Sequence, residues 1–344
     1  MTTRLDAGLA VIKVPPEHWQ MAAMARGMLR GYDSRWREEQ SGITVLTNEH
    51  TYVSPLVNLD SGRSSRAFQI AGKLDHLVLD PSVCLVDHKT TSSDLSDDGV
   101  YWRQLAVESQ PSHYELLLLA NGIRVDNVTW DVARKPGIRP KKITKKYGEE
   151  VGTVHAARAV AAGVEYEDAI LFEDRVALET TENPDRYFAR RSAKRLRDEI
   201  AEYADELWDM QKDISQARLG NRWYRNSGAC MNYGTPCRFL GVCSGHDTID
   251  SENWFRVDDV HNELELSDGR DTLTNSRLRC FQTCRRKHYY EYELGVRRVD
   301  EIEREPLRFG TSWHQALDAW WEGDSSDESR DNSGPVSSTG QGSA

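Results

Sequence analysis

Hydrophobic and polar positions change their spacing along the chain, and these changes predict where helices and strands alternate. Residues 16–39 place apolar side chains at helical spacing without an internal proline, which predicts a helix. Short β-rich runs between residues 43 and 87 are separated by turn residues and predict antiparallel strands. A helix over 102–121 with a kink at Pro111 follows, and the run at 127–133 predicts another strand.

The second half of the chain has a mainly helical pattern. We expect a helix over 187–218, where charges of both signs form an exposed face. Residues 230–243 are rich in Gly, Asn and Pro and predict a loop, and helix returns over 275–321. Residues 323–344 have too little apolar surface for a core, so we expect a disordered tail. The order of elements predicts an α/β (α+β) fold with a mixed central sheet flanked by helices.

Composition and charge narrow the functional classes. The 344 residues include ten Trp and 38% hydrophobic side chains, enough for a buried core. The formal net charge of −11 excludes a generally basic nucleic-acid-binding protein, so any such surface must be local. No apolar run reaches membrane-spanning length and the N-terminus lacks the pattern of a signal peptide, so we expect a cytoplasmic protein without a membrane partner.

Two carboxylates and a lysine are predicted to meet on neighbouring strands. Asp87 and Lys89 are two residues apart and project from the same face of a strand, and a hairpin partner can bring Asp75 beside them. Carboxylate oxygens suit hard cations such as Mg²⁺, and a nearby lysine can orient or deprotonate an attacking water. The alternative is an exposed ion pair at a strand end. The apolar run before Asp87 favours a buried strand, in which an Asp needs a partner or a metal.

The helix after these strands carries a further polar pair. Gln110 and Tyr114 are four residues apart and therefore share one helical face. Taken alone, this spacing is more often structural than functional. The position of the pair directly after the strand residues favours a functional role.

Together these residues resemble the motifs of a known family. The motifs are Gly72-x-x-Asp75, Asp87-x-Lys89 and Gln110-x-x-x-Tyr114. In this order and at this spacing they look like the RecB-like branch of the PD-(D/E)XK nuclease superfamily. The resemblance implies a restriction-endonuclease-like core and a metal-dependent nuclease, and it suggests phage or mobile-element character.

The resemblance also implies a role for each matching residue. Asp75 and Asp87 would bind Mg²⁺ or Mn²⁺, with the backbone carbonyl of His88 as a further ligand. Lys89 would assist the water nucleophile, and Gln110 and Tyr114 would orient the site and the DNA strand. Glu49 resembles the Glu on the family's preceding strand, although an ordinary exposed strand Glu is an equally good interpretation.

Cysteines suggest a second metal-containing group. Cys230, Cys237 and Cys243 supply three thiolates within fourteen residues, and either a Zn²⁺ ion or a [4Fe-4S] cluster would need a fourth. The resemblance implies the iron–sulfur cluster rather than zinc, with Cys284 as the fourth ligand. Cys280 lies one helical turn earlier and could compete for that role. The remaining cysteine, in the apolar strand, is expected to be a buried core thiol.

The histidine and the fourth cysteine stand at the end of the chain, whereas the family carries them at its beginning. In a Gly-x-x-x-His setting, Gly310 and His314 match the family's metal-binding histidine on a helix. We therefore interpret residues 1–265 as the nuclease core with the three-cysteine segment and 266–322 as the displaced N-terminal segment of the same domain. This order predicts a circular permutation. The alternatives are a truncated second domain that acts in trans and a concatenation that does not fold completely.

One segment is concentrated in positive charge, in contrast to the acidic whole. Its basic residues are Arg134, Lys135, Arg139, Lys141, Lys142, Lys145 and Lys146. Binding a DNA backbone needs such a patch, although most charge runs are solvated loops. A second basic cluster lies at 186–197, and Tyr187, Trp223 and Tyr224 could either stack on bases or pack in the core.

The resemblance to RecB-like nucleases implies a metal-dependent deoxyribonuclease. We expect an exonuclease that acts on single-stranded DNA ends in recombination, repair or phage DNA processing, with DNA and a helicase or recombination protein as partners. The main alternative is a non-catalytic nucleic-acid-binding module stabilised by an iron–sulfur or zinc site. A zinc-stabilised structural protein is a third hypothesis.

Overall fold

A computed structural model of the chain describes residues 3–13, 15–232, 234–261, 264, 270–299 and 305–323. The predicted tail at 323–344 lies outside these ranges except for its first residue. Among the helices in these ranges, none is long and apolar enough to cross a membrane.

The first half of the chain combines four helices with the first four strands. The elements are α1 (Arg4–Val11), α2 (Trp19–Gln40), β1 (Thr44–Val57), β2 (Ser64–Asp80), β3 (Ser82–Thr91), α3 (Val100–Ala106), α4 (Gln110–Ala120) and β4 (Asn127–Arg134). A 3-10 turn at Pro16–His18 leads into α2.

The second half is mainly helical with short strands. Its elements are α5 (Tyr147–Val151), α6 (Val154–Ala161), α7 (Ala169–Glu182), α8 (Pro184–Tyr187), β5 (Phe188–Ala193), α9 (Arg197–Gly220), β6 (Met231–Asn232), β7 (Thr235–Pro236), α10 (Leu240–Ser244), β8 (Trp254–Arg256), β9 (Asp271–Leu273), α11 (Asn275–Thr283), α12 (Arg285–His288), β10 (Val296–Arg298) and α13 (Glu305–Glu322). Among the described residues, a 3-10 turn also spans Ser227–Ala229 and a π-helical turn spans Tyr289–Glu293.

The central sheet is mixed. Its strand order is β1-β2-β3-β4-β5, with β9 paired to β2 on the side away from β1. Neighbouring strands are antiparallel except for the β3–β4 and β2–β9 pairs, which are parallel. Helices cover both faces of the sheet. The predicted mixed central sheet flanked by helices is therefore confirmed.

The two sheet faces form separate hydrophobic cores because side chains alternate along each strand. On one face, Val78 and Val86 pack with α2, α7 and α13. On the other, Leu77 and Leu85 pack with α4, α9 and α11. A smaller core near the cysteine segment surrounds Phe239. The long strand β2 thus contributes side chains to both main cores, one on each of its faces.

The observed elements confirm most of the predicted pattern and correct part of it. The predicted helix at 16–39 is α2. The prediction of one kinked helix over 102–121 was wrong, because the helices α3 and α4 are separated at 107–109. Pro111 lies at the beginning of α4, where a missing backbone N–H costs little. The prediction of helix from residue 187 onward was wrong, because residues 188–193 form the strand β5. The three helices α5 to α7 were not predicted.

The segment after residue 270 completes the core of the fold. Strand β9 pairs with Phe68, Gln69 and Ile70 of β2, and α13 packs on β1 and β3. The side chains of Trp313 and Trp320 in α13 are fully buried. At the other end of the chain, α1 packs against this last helix. The beginning and end of the described chain therefore meet in one core.

Removing that segment should unfold the protein. Truncating a buried Trp costs about 3–5 kcal/mol, whereas a whole domain is stable by only about 5–15 kcal/mol. Helix α13 buries Trp313, Trp320 and Trp321. We therefore expect a chain that ends at residue 270 to be insoluble or unfolded, as measured by soluble yield and circular dichroism.

The matched control is a chain that ends at residue 323. It retains all described elements and should keep the melting temperature of the full chain. A folded, soluble protein that ends at residue 270 would contradict the prediction and would favour a separate, second domain beginning there.

Candidate active site

The site begins where strands β2 and β3 separate. Their backbone pairing runs from Asp80–Ser82 to His76–Val86. Beyond that pair, the Asp75 carboxylate accepts a hydrogen bond from the backbone N–H of His88 at 2.7 Å. A side chain thus replaces a neighbouring strand as the partner of that N–H, which fixes the position of the Asp75 carboxylate at the opening.

A chain of polar contacts links β3 to α4 beside this opening. Asp87 is buried, and its Oδ2 atom lies 2.7 Å from the Nζ atom of Lys89. Lys89 donates to Gln110 Oε1 at 2.6 Å, and Gln110 donates to the hydroxyl of Tyr114 at 2.8 Å. The structure therefore brings these four predicted residues together. The exposed ion pair considered for Asp87 and Lys89 does not describe this buried arrangement.

Gly72 has a packing role that explains the glycine of the first motif. A Cβ atom at this position would lie 2.8 Å from a ring carbon of Tyr114 and 3.2 Å from Leu117. The ring of Tyr114 can therefore rest directly on β2 only because residue 72 has no side chain. This close approach places α4 over the opening that Asp75 occupies.

The predicted histidine, His314 on helix α13, lies at the same opening. The Nδ1 atom of His314 lies 3.8 Å from Asp75 Oδ2. Together with Glu49, these residues each offer one ligand atom, and the three atoms lie within 4.8 Å of one another. Glu49 has a positive φ of 45° within β1 and contacts Lys73 at 2.5 Å. This is a candidate acidic metal site.

Burial and mutual repulsion shape the charges of the site. Burial, followed by the charge of Asp87, raises the pKa of Asp75 to about 7. Burial, with smaller effects of His88 and Lys89, lowers the pKa of His314 to about 3, so its ring is neutral and able to donate a lone pair. Burial alone would lower the pKa of Lys89, but the charge of Asp87 raises it above its usual value.

The donor set fits a divalent cation. Two carboxylates suit Mg²⁺ or Mn²⁺, and a neutral imidazole favours Mn²⁺ and other transition metals over Mg²⁺. Asp87, predicted as a ligand, is not one of the three grouped residues and instead contacts Lys89. Burial, followed by repulsion from Asp87, raises the pKa of Asp75, and a cation beside this carboxyl would stabilise its charged form.

The side chain of His88 projects away from the opening. It is fully buried, and its Nδ1 atom lies 3.4 Å from Asp131 Oδ2. Asp131 also accepts a hydrogen bond from the hydroxyl of Tyr32 and lies 3.3 Å from Arg190. His88 thus contributes its backbone N–H to the site, through Asp75, and its ring to a buried polar network behind the site.

Four cysteines line one cavity of about 1270 Å³ near the small third core. They are the predicted set: Cys230, Cys237, Cys243 and Cys284. The backbone N–H of Asn226 donates to the sulfur of Cys284 at 3.4 Å. Burial, followed by the other three thiols, raises the pKa of Cys243, so the four thiols are electrostatic neighbours.

These thiols do not form a compact group. Thiolates around one Zn²⁺ lie about 3.8 Å apart because Zn–S bonds are about 2.3 Å long. No three of the described thiols come within 4.8 Å of one another. Cys280 is buried, does not line the cavity and lies 3.9 Å from Glu291, while Cys84 is a buried thiol in β3.

The predicted basic segment is only partly available to a ligand. Arg134 pairs with Asp94 at 3.1 Å, and Lys142 pairs with Glu165 at 3.0 Å. Lys141 lies 3.4 Å from Glu150. The side chains of Arg139, Lys145 and Lys146 are exposed, whereas Lys135 lies over the ring of Phe309 in α13. Acidic neighbours therefore neutralise much of the positive charge of this basic segment.

The three candidate stacking residues divide between core and surface. Tyr187 and Trp223 are buried, so for these two the core interpretation describes their position. Tyr224 is 60% exposed and lies under the guanidinium group of Arg285.

Sequence reasoning missed one acidic neighbour of the site. Asp318 follows His314 by one helical turn, and its Oδ1 atom lies 3.9 Å from Nε2 of His76. Burial, followed by the charge of Glu49, raises the pKa of Asp318 to about 8. The spacing of four residues after a candidate histidine ligand was the available signal.

A comparison with models of protein families supports a nuclease superfamily for this chain. The model described as the PD-(D/E)XK nuclease superfamily matches residues 272–336, a range that begins in β9 and includes α11 and α13. Members of this superfamily are generally nucleases that need divalent metals, and the observed mixed sheet with flanking helices is consistent with their core. No curated protein and no solved structure matches the chain. The match supports the PD-(D/E)XK nuclease superfamily for this chain.

Proposed function

We propose that this protein is a metal-dependent deoxyribonuclease of the RecB-like type. The observation that carries the proposal is the convergence of Glu49, Asp75 and His314 within 4.8 Å, next to the buried pair of Asp87 and Lys89. A structural protein would gain nothing from like-charged carboxylates gathered in a partly buried opening, because their repulsion is unfavourable. Such a group can hold a divalent cation that activates water for phosphodiester hydrolysis, and the amine of Lys89 adds a positive charge beside it.

The chain's own residues have distinct tasks in this proposal. Glu49, Asp75 and His314 would hold Mg²⁺ or Mn²⁺, with Asp87 and the carbonyl of His88 as further candidate ligands. When bound, the metal supplies Lewis acidity and lowers the pKa of water. Lys89 is kept protonated by Asp87 and offers a positive charge to the phosphate oxygens and to the attacking water. Gln110 holds the lysine amine in place.

We propose that the four cysteines hold a [4Fe-4S] cluster. The four thiols line one cavity of about 1270 Å³, which leaves room for a multi-atom cluster. Basic side chains of Arg225, Lys287 and Arg297 line the same cavity and suit the negative charge of a cluster with four thiolates. The turn around Asn226 offers a backbone N–H to sulfur, a contact that stabilises the thiolate.

We further propose that the segments of this chain follow a circularly permuted order relative to the family. The parallel pairing of β9 with β2 and the contact of α1 with α13 support it, because chain termini that lie together make such a rearrangement possible. The family-model match at 272–336 begins at the segment that the permutation treats as the original start.

The substrate we propose is DNA with a single-stranded end, digested as an exonuclease. Exposed Lys145 and Lys146, together with the exposed members of the second basic cluster, are the candidate contacts for phosphates. Those members are Arg186, Lys194 and Arg197, whereas Arg190 of that cluster pairs with buried Asp131. A helicase or recombination protein that exposes single strands is the proposed partner class. Labelled linear and circular single-stranded DNA test this directly, since an exonuclease digests the linear form and leaves the circle intact.

The first prediction for the site concerns Asp87 and Lys89. Replacing either residue by Ala should lower Mg²⁺-dependent cleavage by about 10²–10⁴-fold, because each removes a charge that acts on the reacting phosphate or water. Rates on labelled single-stranded DNA measure the loss, and circular dichroism checks that the fold remains. Lys212→Ala, on an exposed turn of α9, is the matched control and should retain full activity. Cleavage within a few-fold of normal in both variants would refute the assignment and favour a non-catalytic binding module.

The next prediction concerns the metal ligands and does not depend on catalysis. His314→Ala and Glu49→Gln should each weaken Mn²⁺ binding, because each removes one of three grouped donors. Calorimetric titration with Mn²⁺ measures the loss, which we expect to be at least about ten-fold in affinity. His155→Ala changes an exposed histidine on α6 and should bind Mn²⁺ normally. Equal affinity in all of these variants would show that the metal binds elsewhere.

The final prediction of this group separates the two candidate cysteines. Cys284→Ser should lose the broad visible absorbance of an iron–sulfur cluster and lower the melting temperature, because ligand binding stabilises the fold. Cys280→Ser should keep the absorbance, since that thiol does not line the cavity. Anaerobic purification followed by iron and zinc analysis measures both. Stoichiometric zinc without iron, or equal loss in both variants, would rule out the proposed ligand set.

A further inference from the structure

Two lysine amines lie near the candidate metal group, and they differ in exposure and in how they are held. Lys89 contacts both Asp87 and Gln110, which fix its amine, and 21% of its side chain is exposed. Lys73 on β2 has 41% of its side chain exposed, and its Nζ atom lies 2.5 Å from Oε2 of Glu49. The proposed nuclease function assigns no task to this second amine.

The strand register places Lys73 directly beside the metal group. The residues on either side of Glu49 in β1 pair with those on either side of Asp75 in β2, so these two carboxylates lie across from each other. Lys73 precedes Asp75 by two residues and projects from the same face of the strand. The ammonium group of Lys73 is therefore the diagonal neighbour of Glu49, which is itself one of the three grouped donors.

The Lys73 amine and a bound metal would compete for the negative charge of Glu49. An ion on the oxygen that Lys73 contacts would lie no more than about 4.6 Å from the amine, because Mg²⁺–oxygen bonds are about 2.0–2.1 Å long. Even in bulk water, the repulsion between a double and a single positive charge at that distance exceeds thermal energy. The long and exposed side chain of Lys73 can relieve this repulsion by turning away.

We propose that Lys73 is a mobile substrate-binding residue whose amine pairs with Glu49 before the metal binds, is displaced by the metal, and then contacts a phosphate of the DNA backbone. A phosphodiester is the anion that DNA would bring to this opening, and a lysine amine on its flexible stem suits it as a point charge. The inference rests on the proposed nuclease function. It divides the work between the amines, since fixed Lys89 acts at the reacting phosphate and mobile Lys73 binds a neighbouring one.

This role and a structural role predict opposite changes in metal affinity. If Lys73 only held Glu49 in place, removing the amine would let the carboxylate move and would weaken metal binding. If the amine competes with the metal, removing it tightens metal binding. The sign of the change therefore separates the two roles without any measurement of cleavage.

Calorimetric titration of the full chain with Mn²⁺, without DNA and at constant ionic strength, measures the first step. Lys73→Met removes the charge and keeps a long unbranched side chain, and it should bind Mn²⁺ about ten-fold more tightly than the unchanged protein. Lys73→Arg keeps the charge and should bind Mn²⁺ no more tightly. Lys212→Met removes an amine from another exposed ion pair, on α9, and should bind Mn²⁺ normally. Lys73→Gln serves in place of Lys73→Met should the apolar side chain disturb folding.

Cleavage of labelled linear single-stranded DNA at saturating Mn²⁺ measures the second step. Lys73→Met should raise KM for the DNA about ten-fold and leave kcat within about three-fold, because a phosphate contact that is equal in the ground state and the transition state affects KM alone. Lys73→Arg should restore KM. If the unchanged protein cleaves no DNA, fluorescence anisotropy of the same DNA with Mn²⁺ present gives its affinity in place of KM.

Three results would overturn the inference. Unchanged or weaker Mn²⁺ binding by Lys73→Met would make the contact with Glu49 a structural ion pair. Unchanged KM or DNA affinity would show that the displaced amine passes to a carboxylate such as Asp318, whose charge also acts on it. Absence of Mn²⁺ binding from both proteins would remove this inference together with the proposed function. Failure of the proposed function alone gives another result, in which Lys73→Met binds Mn²⁺ more tightly and DNA more weakly but no protein cleaves.

Discussion

The burial of α13 against the sheet is the interaction on which the rest of the structure depends. Its apolar face carries Trp313, Trp320 and Trp321 into the same core that α2 and β3 form. An adjacent face of the helix carries His314 to Asp75. Packing energy of the tryptophans therefore fixes the position of a candidate ligand from the far end of the chain. Site geometry and global stability are coupled for this reason, and a change that loosens the helix should affect both.

Hydrophobic periodicity was enough to predict the parts of the fold in which burial follows apolar residues. In the strands β2 and β3 and in the helix α2, apolar runs of the sequence coincide with the buried residues. Strand β5 was missed because its inward position is occupied by Arg190, whose charge is balanced by Asp131 on β4. A pattern that treats every charge as exposed cannot recognise such a residue. Glu49 was equally ambiguous, since its left-handed backbone and its position near Asp75 are visible only in three dimensions.

The two cysteines of the 280–284 turn show what spacing alone could not decide. Both lie within one helical turn in sequence, so either could reach a common ligand. Helix α11 ends at Thr283, and Cys284 follows in an extended conformation that turns its sulfur toward Asn226 and the cavity. Cys280 remains inside the helix, where burial and Glu291 raise the pKa of its thiol to about 12. The end of the helix, rather than the sequence motif, separates an accessible sulfur from a core thiol.

Strand β3 is held from both of its faces at the point where the chemistry is proposed to occur. Asp87 and Lys89 face α4, while His88 between them faces the network of Asp131. Burial would raise the pKa of Asp131, but the charge of Arg190 and the contact with His88 lower it, so the network keeps a negative charge in the core. That charge holds the His88 ring, and the backbone N–H of the same residue holds Asp75. Because the ring and the N–H belong to one residue, a shift of β3 at this point would disturb the contact with Asp131 and the contact with Asp75 together.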